Sequence, residues 1–287
     1  MGYIALDSGT SKCIEKAISD LFLKEKISWD TLLAVGCDGT NVNVGKQGGI
    51  IRLLEKRLNI PLQWIICLLH MNELPFRHLF LHIDGSTSGP QTFSETIGKD
   101  LENCEKRPIV QFQPIPAVLP EVSAEDMSAE QKYLYRIVLA VTTGEFPIDL
   151  GNKSPGKMPH ARWLTRVNRI MRLYVSMKLP FENLVVIATY IVKAYAPTWF
   201  AIKTHPSCKD GARHLYQLIH ATRYLPTELK AIVDPVIQRN SYFAHPENVL
   251  LAMVTDSQQH IRKLGARRIL KARSIKKIYF DCSNFLL

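Results

Sequence analysis

Asp38 stands in the run Cys37-Asp38-Gly39-Thr40-Asn41, directly after an apolar stretch from Leu32 to Gly36. A carboxylate at the end of a buried strand can hold Mg²⁺ or orient water when partner carboxylates converge on it from other elements. An Asp before Gly is also a common turn signal, with the carboxylate taking nearby backbone N–H groups. The residues leave both uses open. Further on, Cys67-Leu68-Leu69-His70 has the spacing of half a zinc site. A structural zinc needs four ligands, and no second pair of comparable spacing stands nearby, so a packed cysteine and a hydrogen-bonded histidine are the simpler reading. G-x-S-x-G is absent, and the glycines between Gly45 and Gly49 form neither a P-loop nor a dinucleotide fingerprint.

Two basic stretches point to anion binding. Arg162, Arg166, Arg169 and Arg172 recur at i, i+4, i+7 and i+10, which stacks guanidinium groups along one helix face. Leu164, Val167, Met171 and Tyr174 form the opposing apolar stripe. Guanidinium forks suit phosphate oxygens, and Trp163 beside them is placed to stack on an unpaired base. The alternative is a solvated face whose arginines pair with acids of the same chain. The second stretch, residues 257 to 280, holds Arg262, Lys263, Arg267, Arg268, Lys271, Arg273, Lys276 and Lys277 and no acid. It reads as a phosphate-contacting helix or a nuclear-import patch.

The elements that would position these groups follow from periodicity. The apolar run at Leu32 and that from Leu62 to Cys67 read as strands, with Ile50, Leu53, Leu54 and Leu58 at helical spacing between them and Pro61 closing the helix. A β-α-β unit puts the two strands in parallel, with Asp38 and the Cys67-to-His70 segment at their carboxyl ends, where functional crevices lie. Upstream, Tyr3 to Leu6 reads as a short strand, and Ile14, Ala17, Ile18, Leu21 and Phe22 as a helix capped by Thr10 or Ser11. Downstream, a helix is expected from about Asn72 to Ile83. Residues 84 to 120, with prolines at 108, 114, 116 and 120, read as loop or linker with a short helix around Ile97 to Cys104. Helices are then predicted over 129–141, 161–177, 181–195, 211–223, 228–239 and 246–264, with a loop at 146–159. The fold class is therefore α/β plus all-α: an α/β region over 1–85, a linker over 86–123, and a helical region over 124–287.

With 287 residues, 46% hydrophobic and 22% charged, the composition is that of a globular protein able to bury a large core. Lys and Arg exceed Asp and Glu by 36 − 26 = 10, which favours anionic partners, nucleic acid ahead of a membrane surface. The six cysteines are scattered without a C-x-x-C pair, which suits a reducing compartment, nuclear or cytoplasmic, rather than secretion. The longest apolar run, Leu184 to Val192, is shorter than a bilayer crossing.

Taken in order, Asp38-Gly-Thr-Asn-Val-Asn, Cys67-Leu-Leu-His70, Arg162-Trp163 and Asp234-Pro235 resemble the hAT transposase superfamily, over roughly Ser8 to Arg273. The resemblance implies an RNase H-like catalytic domain interrupted by a large helical insertion, here with an incomplete sheet. It makes Asp38 the second acid of the family triad, Cys67 and His70 the C-x-x-H signature, and Arg162-Trp163 the R-W motif associated with a flipped base. The chain departs from the pattern where the first catalytic Asp should stand: Asp7 precedes a Ser-Gly-Thr turn and fits a later strand. Glu247 is the candidate third acid, and no BED-type zinc finger precedes the domain. Two-metal phosphoryl chemistry needs carboxylates from several elements. The expectation is thus a transposon-derived protein that binds nucleic acid, DNA first, through Arg162, Trp163, Arg166, Arg169, Arg172, Arg267, Arg268 and Lys271, without complete strand transfer. Mg²⁺ at Asp38 is the cofactor implied if any catalysis remains. A helical protein-interaction scaffold and a residual metal-dependent nuclease are the alternatives, and homo-oligomerisation is left open.

Overall fold

The structure is a computed structural model that describes residues 4–6, 8–45, 47–85, 96–156, 163–205, 210–241 and 246–274. It is mainly helical, with one two-stranded parallel sheet among the described residues. Packing divides the chain into two compact units, Met1–Met71 and Asn72–Leu287.

The first unit is the expected β-α-β arrangement. Helix α1 (Ser11–Lys24) starts where the Thr10 hydroxyl accepts the Cys13 N–H. Strand β1 (Ala34–Cys37) leads into a four-residue turn of helix, α2 (Asn41–Val44), then α3 (Ile50–Leu58) and strand β2 (Gln63–Ile66). The strands pair in parallel from Ala34↔Gln63 to Cys37↔Ile66. Between α2 and α3 the backbone doubles back so tightly that a Cβ on Gly49 would lie 2.3 Å from the Gly45 nitrogen. Only glycine fits there. Ile50, Ile51, Leu54 and Leu62 are buried. Among them sits Glu55, which accepts from the Leu62 N–H at 3.1 Å, the Trp64 Nε1–H at 2.9 Å and Arg52 at 2.6 Å. This one carboxylate ties α3 to the start and middle of β2. Packing of α1 on α3 is reinforced by Arg57, which pairs with Glu15 at 2.7 Å. Ile4 to Leu6 lack regular structure, so the short N-terminal strand predicted there is not formed by those residues.

Helix α4 (Leu68–Asp84) follows β2 at once, four residues earlier than predicted, and the boundary between the units falls inside it. The second unit continues with α5 (Thr96–Asp100), whose first N–H groups at Ile97 and Gly98 bond the Asp84 carboxylate at 2.8 and 2.7 Å. Residues 107–123 are irregular, as their prolines require, yet they are packed: Val110 donates to the Val175 carbonyl and Ile115 to that of Val141. Then come α6 (Ala129–Thr143), with a Ser128/Gln131 capping box, α7 (Ile148–Gly151), α8 (Trp163–Tyr174), α9 (Glu182–Tyr190) and α10 (Ala196–Thr204). The chain closes with α11 (Gly211–Ala221), α12 (Thr227–Asn240), α13 (Pro246–Val254) and α14 (Gln259–Ser274). The core is built on α8 and α9, with α6 packed on α8.

Two boundaries differ from the periodicity. The helix expected to stop at residue 195 continues as Glu182–Thr204, through a π turn at Ile191–Tyr195. Pro197 has no N–H to give the carbonyl four residues back, and the widened turn absorbs that loss. The Tyr195 carbonyl is taken by the Asn72 side chain at 2.9 Å. By length and composition this 23-residue helix is one that could cross a membrane, though two thirds of its most apolar window (67%) is buried inside the fold. The single helix predicted over 246–264 is broken at 255–258. There the Asp256 carboxylate accepts the Gln258 N–H at 2.7 Å, and the Thr255 hydroxyl turns back to the Ala252 carbonyl at 2.8 Å. Asp and Thr side chains that satisfy nearby backbone groups compete with the helix ladder.

Candidate functional site

At the carboxyl end of β1 the chain turns sharply, and Asp38 is part of that turn. Its Oδ1 accepts the Thr40 N–H at 3.0 Å and the Asn43 amide at 2.8 Å. Burial works against the carboxylate's charge. The bonds from Thr40 and Asn43, together with the nearby His70, outweigh it and hold the pKa below the ordinary value. The parallel sheet thus does what its topology implies: it brings Asp38 and His70 to one end. Cys67 is exposed, and its N–H extends the ladder to the Cys37 carbonyl at 3.0 Å. Its own carbonyl accepts the Met71 N–H and so opens α4. Burial, then the adjacent Asp38 charge, pushes the Cys37 thiol up to about 11, which keeps it protonated and a poor metal ligand at neutral pH.

Among the described residues no three His, Cys, Asp or Glu side chains converge as metal ligands. Asp7 lies outside the described residues; among those described, Asp38 is the acid at this turn, its Oδ1 accepting two hydrogen bonds, whereas a two-ion Mg²⁺ centre needs several carboxylates. Glu247 lies in the first turn of α13, with its side chain outside the description. Asp234, of the Asp-Pro pair, receives the Arg223 guanidinium on α12, with Nη1 to Oδ2 at 3.1 Å.

Helix α8 corrects the expectation of a solvent-facing arginine row. Arg162 lies outside the described residues. Arg169 is 7% exposed and Arg172 2%. The Arg169 guanidinium donates to the Gly156 and Leu101 carbonyls at 3.0 and 2.9 Å and to Glu105 at 3.0 Å. Arg172 donates to the Glu105 and Arg107 carbonyls at 3.2 and 2.7 Å. Both knit the short 3₁₀ turn Cys104–Lys106 and the residues beside it to α8. Neither guanidinium is presented to solvent. Their partners lie up to 68 residues away, so helical spacing alone could not reveal them.

Trp163 is corrected in the same way. At 6% exposure it is a core residue, edge-on to Phe76 and Phe80 at 5.7 and 5.8 Å. The Arg166 guanidinium lies 4.0 Å from the indole centroid and that of Arg77 5.6 Å. The ring that was expected to receive a base is already covered by cations of its own chain. Burial, then the charge of Arg77, lowers the Arg166 pKa to about 10, with Glu73 acting the other way.

The basic stretch at the C-terminal end is a helix. In α14, Gly265 and Ile269 are buried, and the helix packs on α13. A Cβ at Gly265 would lie 2.9 Å from that of Met253 and 3.1 Å from the Leu250 carbonyl, so the missing side chain is what lets the helices approach. At 100° per residue, Lys263, Arg267 and Lys271 share the opposite face, and all three are exposed. Arg268 is half-buried, and Arg262 is drawn back onto the turn, donating to the Asp256 and Ser257 carbonyls at 2.8 and 2.7 Å. The exposed row spans two helical turns, roughly 12 Å. The acid nearest to it in sequence, Asp256, precedes the helix.

No family model, no curated protein and no solved structure matches the chain.

A polar cleft went unread in the sequence. It lies between α11 and the 255–257 turn, encloses about 330 Å³, and is lined by Arg213, Tyr216, Gln217, His220, Ala252, Thr255, Asp256 and Ser257. Its signal was present: Arg213, Gln217 and His220 stand at i, i+4 and i+7.

Proposed function

We propose that this chain is a transposon-derived nucleic-acid-binding protein, similar to hAT transposases, that holds a DNA backbone on the exposed face of α14. The observation that carries the proposal is the row Lys263, Arg267 and Lys271, exposed on the face opposite the buried Gly265 and Ile269. Cations one turn apart on a rigid helix neutralise successive phosphates and release their counterions, a sequence-independent source of affinity. The surplus of ten positive charges favours encounter with the same partner. The order of the short motifs from Asp38 to Asp234 supports the transposase-like origin, and the β1-α3-β2 unit is compatible with part of an RNase H-like sheet.

Binding without strand transfer is the form of activity that the Asp38 geometry favours. That carboxylate holds a turn through Thr40 and Asn43, and a two-ion mechanism needs further carboxylates beside it. The protein would act in the nucleus or cytoplasm, where nucleic acid is its partner.

The test is fluorescence-anisotropy titration of the intact chain with labelled duplex and single-stranded DNA across a salt series. Changing Lys263, Arg267 and Lys271 together to Ala lowers the slope of log affinity against log salt by about 2 to 3, since each lost phosphate contact removes about 0.7 to 0.9. Equal affinity and slope for the variant and the parent chain would remove α14 as the binding element. Absence of affinity at low salt would remove the function.

A further inference from the structure

We propose that the cleft between α11 and the α13–α14 turn is a second phosphate subsite, taking a phosphodiester of the same nucleic-acid strand that lies along α14. The inference rests on the binding role proposed for α14. What distinguishes the cleft from a surface groove is its chemistry: of its eight lining residues only Ala252 is without a polar side-chain atom. Arg213, Gln217 and His220 are exposed along one face of α11, and Ser257 is exposed on the facing turn. Arg213 is not spent on the fold, because none of the described hydrogen bonds or ion pairs engages its guanidinium. It differs in this from Arg169, Arg172 and Arg223, which are all committed to intramolecular acceptors.

The acid in the cleft is already satisfied. Asp256 takes the Tyr216 hydroxyl on Oδ2 and the Gln258 N–H on Oδ1, and the charges of His220 and His260 act on it. That leaves Arg213, the Gln217 amide and the Ser257 hydroxyl as donors without a carboxylate to satisfy. Such a set complements the oxygens of a phosphodiester: a forked guanidinium, an amide and a hydroxyl around one anion. A volume of about 330 Å³ also leaves room for the attached sugar.

Continuity with α14 selects the strand over a free anion. His260, within electrostatic reach of Asp256 at the cleft, is exposed in the first turn of α14. Lys263, Arg267 and Lys271 continue from it on the same side, since positions 260, 263, 267 and 271 fall within an arc of about 80°. A backbone following that row toward the start of α14 arrives at the 255–257 turn, which is a wall of the cleft.

The experiment compares the parent chain, Arg213→Ala, Gln217→Ala and the α14 triple variant by the same salt-series titration, with circular dichroism as the check on folding. Arg213 and Gln217 are exposed, so their truncation leaves the helical spectrum unchanged. The expected result for Arg213→Ala is a salt slope lower by about 1 and affinity reduced roughly 3- to 10-fold. Gln217→Ala weakens binding with its slope unchanged, because it removes a neutral donor. If the triple variant loses binding while Arg213→Ala equals the parent, the α14 reading stands and the subsite is wrong. If the parent binds no nucleic acid, both fail. A parallel NMR titration of the histidine ring signals with inorganic phosphate and with a short oligonucleotide separates the sources. Perturbation of His220 by phosphate but not by the oligonucleotide overturns the strand assignment.

Discussion

Arg169→Ala tests whether the arginines of α8 belong to the fold or to a ligand. The guanidinium donates to two carbonyls and one carboxylate at 2.9 to 3.0 Å, from a position only 7% exposed. Truncating one partner of a buried ion pair costs about 3 to 5 kcal/mol, because the remaining groups are left desolvated and unpaired. Here the acid is not fully enclosed: the Glu105 side chain is 33% exposed, and water takes over part of the lost interaction. The Gly156 and Leu101 carbonyls still lose a charged donor, a loss of order 1 kcal/mol or more for each buried group. The lower end, about 3 kcal/mol, is the expected effect. With a urea slope of about 2 kcal/mol/M, the unfolding midpoint falls by about 1.5 M. The assay is urea denaturation of the whole chain followed by circular dichroism, whose helical signal comes chiefly from the second unit. Arg169→Lys keeps the charge but not the fork, and its midpoint lies between those of Ala and the parent. Unchanged stability together with a several-fold loss of DNA affinity would refute the reasoning and return Arg169 to the ligand.

Acid sensitivity and helix contact provide two further checks. Burial opposes ionisation of Glu55, yet bonds from Trp64, Leu62 and Arg52 hold its folded pKa below the ordinary carboxylate value. Its contribution to the first unit is therefore complete above the unfolded pKa and disappears as pH falls through the lowered folded one. Thermal denaturation from pH 7 down to pH 2 shows a steeper acid loss for the parent than for Glu55→Gln, and parallel profiles would contradict that assignment. Gly265→Ala forces α13 and α14 apart, since the new methyl meets Met253 and Leu250, and costs about 1 to 3 kcal/mol. Hydrogen exchange of the α14 amides speeds up in that variant, and unchanged protection would show that the helices do not depend on the close approach.

The parallel β-α-β unit was legible because each of its signals is local: apolar runs, helical spacing, glycines where the backbone doubles back and Pro61 as a stop. The basic row of α14 was likewise carried by a single segment. Arg169 and Arg172 were misread for the opposite reason. A helix with arginines at i, i+4, i+7 and i+10 looks amphipathic, but α8 is packed on nearly every side, and what neutralises its cations comes from carbonyls and Glu105 far along the chain. Trp163 followed it into the core through Phe76 and Phe80, which periodicity could not bring to it. The break between α13 and α14 contains neither proline nor glycine and depends on side-chain bonds made by Thr255 and Asp256. The polar cleft depends on that break, because the turn it creates forms one of its walls.

The helix running through Glu182–Thr204 has a consequence for biosynthesis. As it leaves the ribosome it offers a stretch with the length and composition of a bilayer-crossing helix before its covering partners are complete. Helices α6 and α8 precede it and can receive one side at once, whereas α11, which packs on both its π turn and α10, is synthesised afterwards. For that interval the nascent chain is exposed to recognition by targeting factors or chaperones that bind apolar helices. Synonymous codon changes that slow translation some tens of codons after Thr204, when this helix has left the exit tunnel and α11 has not, should lengthen the interval and lower the soluble yield, without altering a single residue of the finished protein.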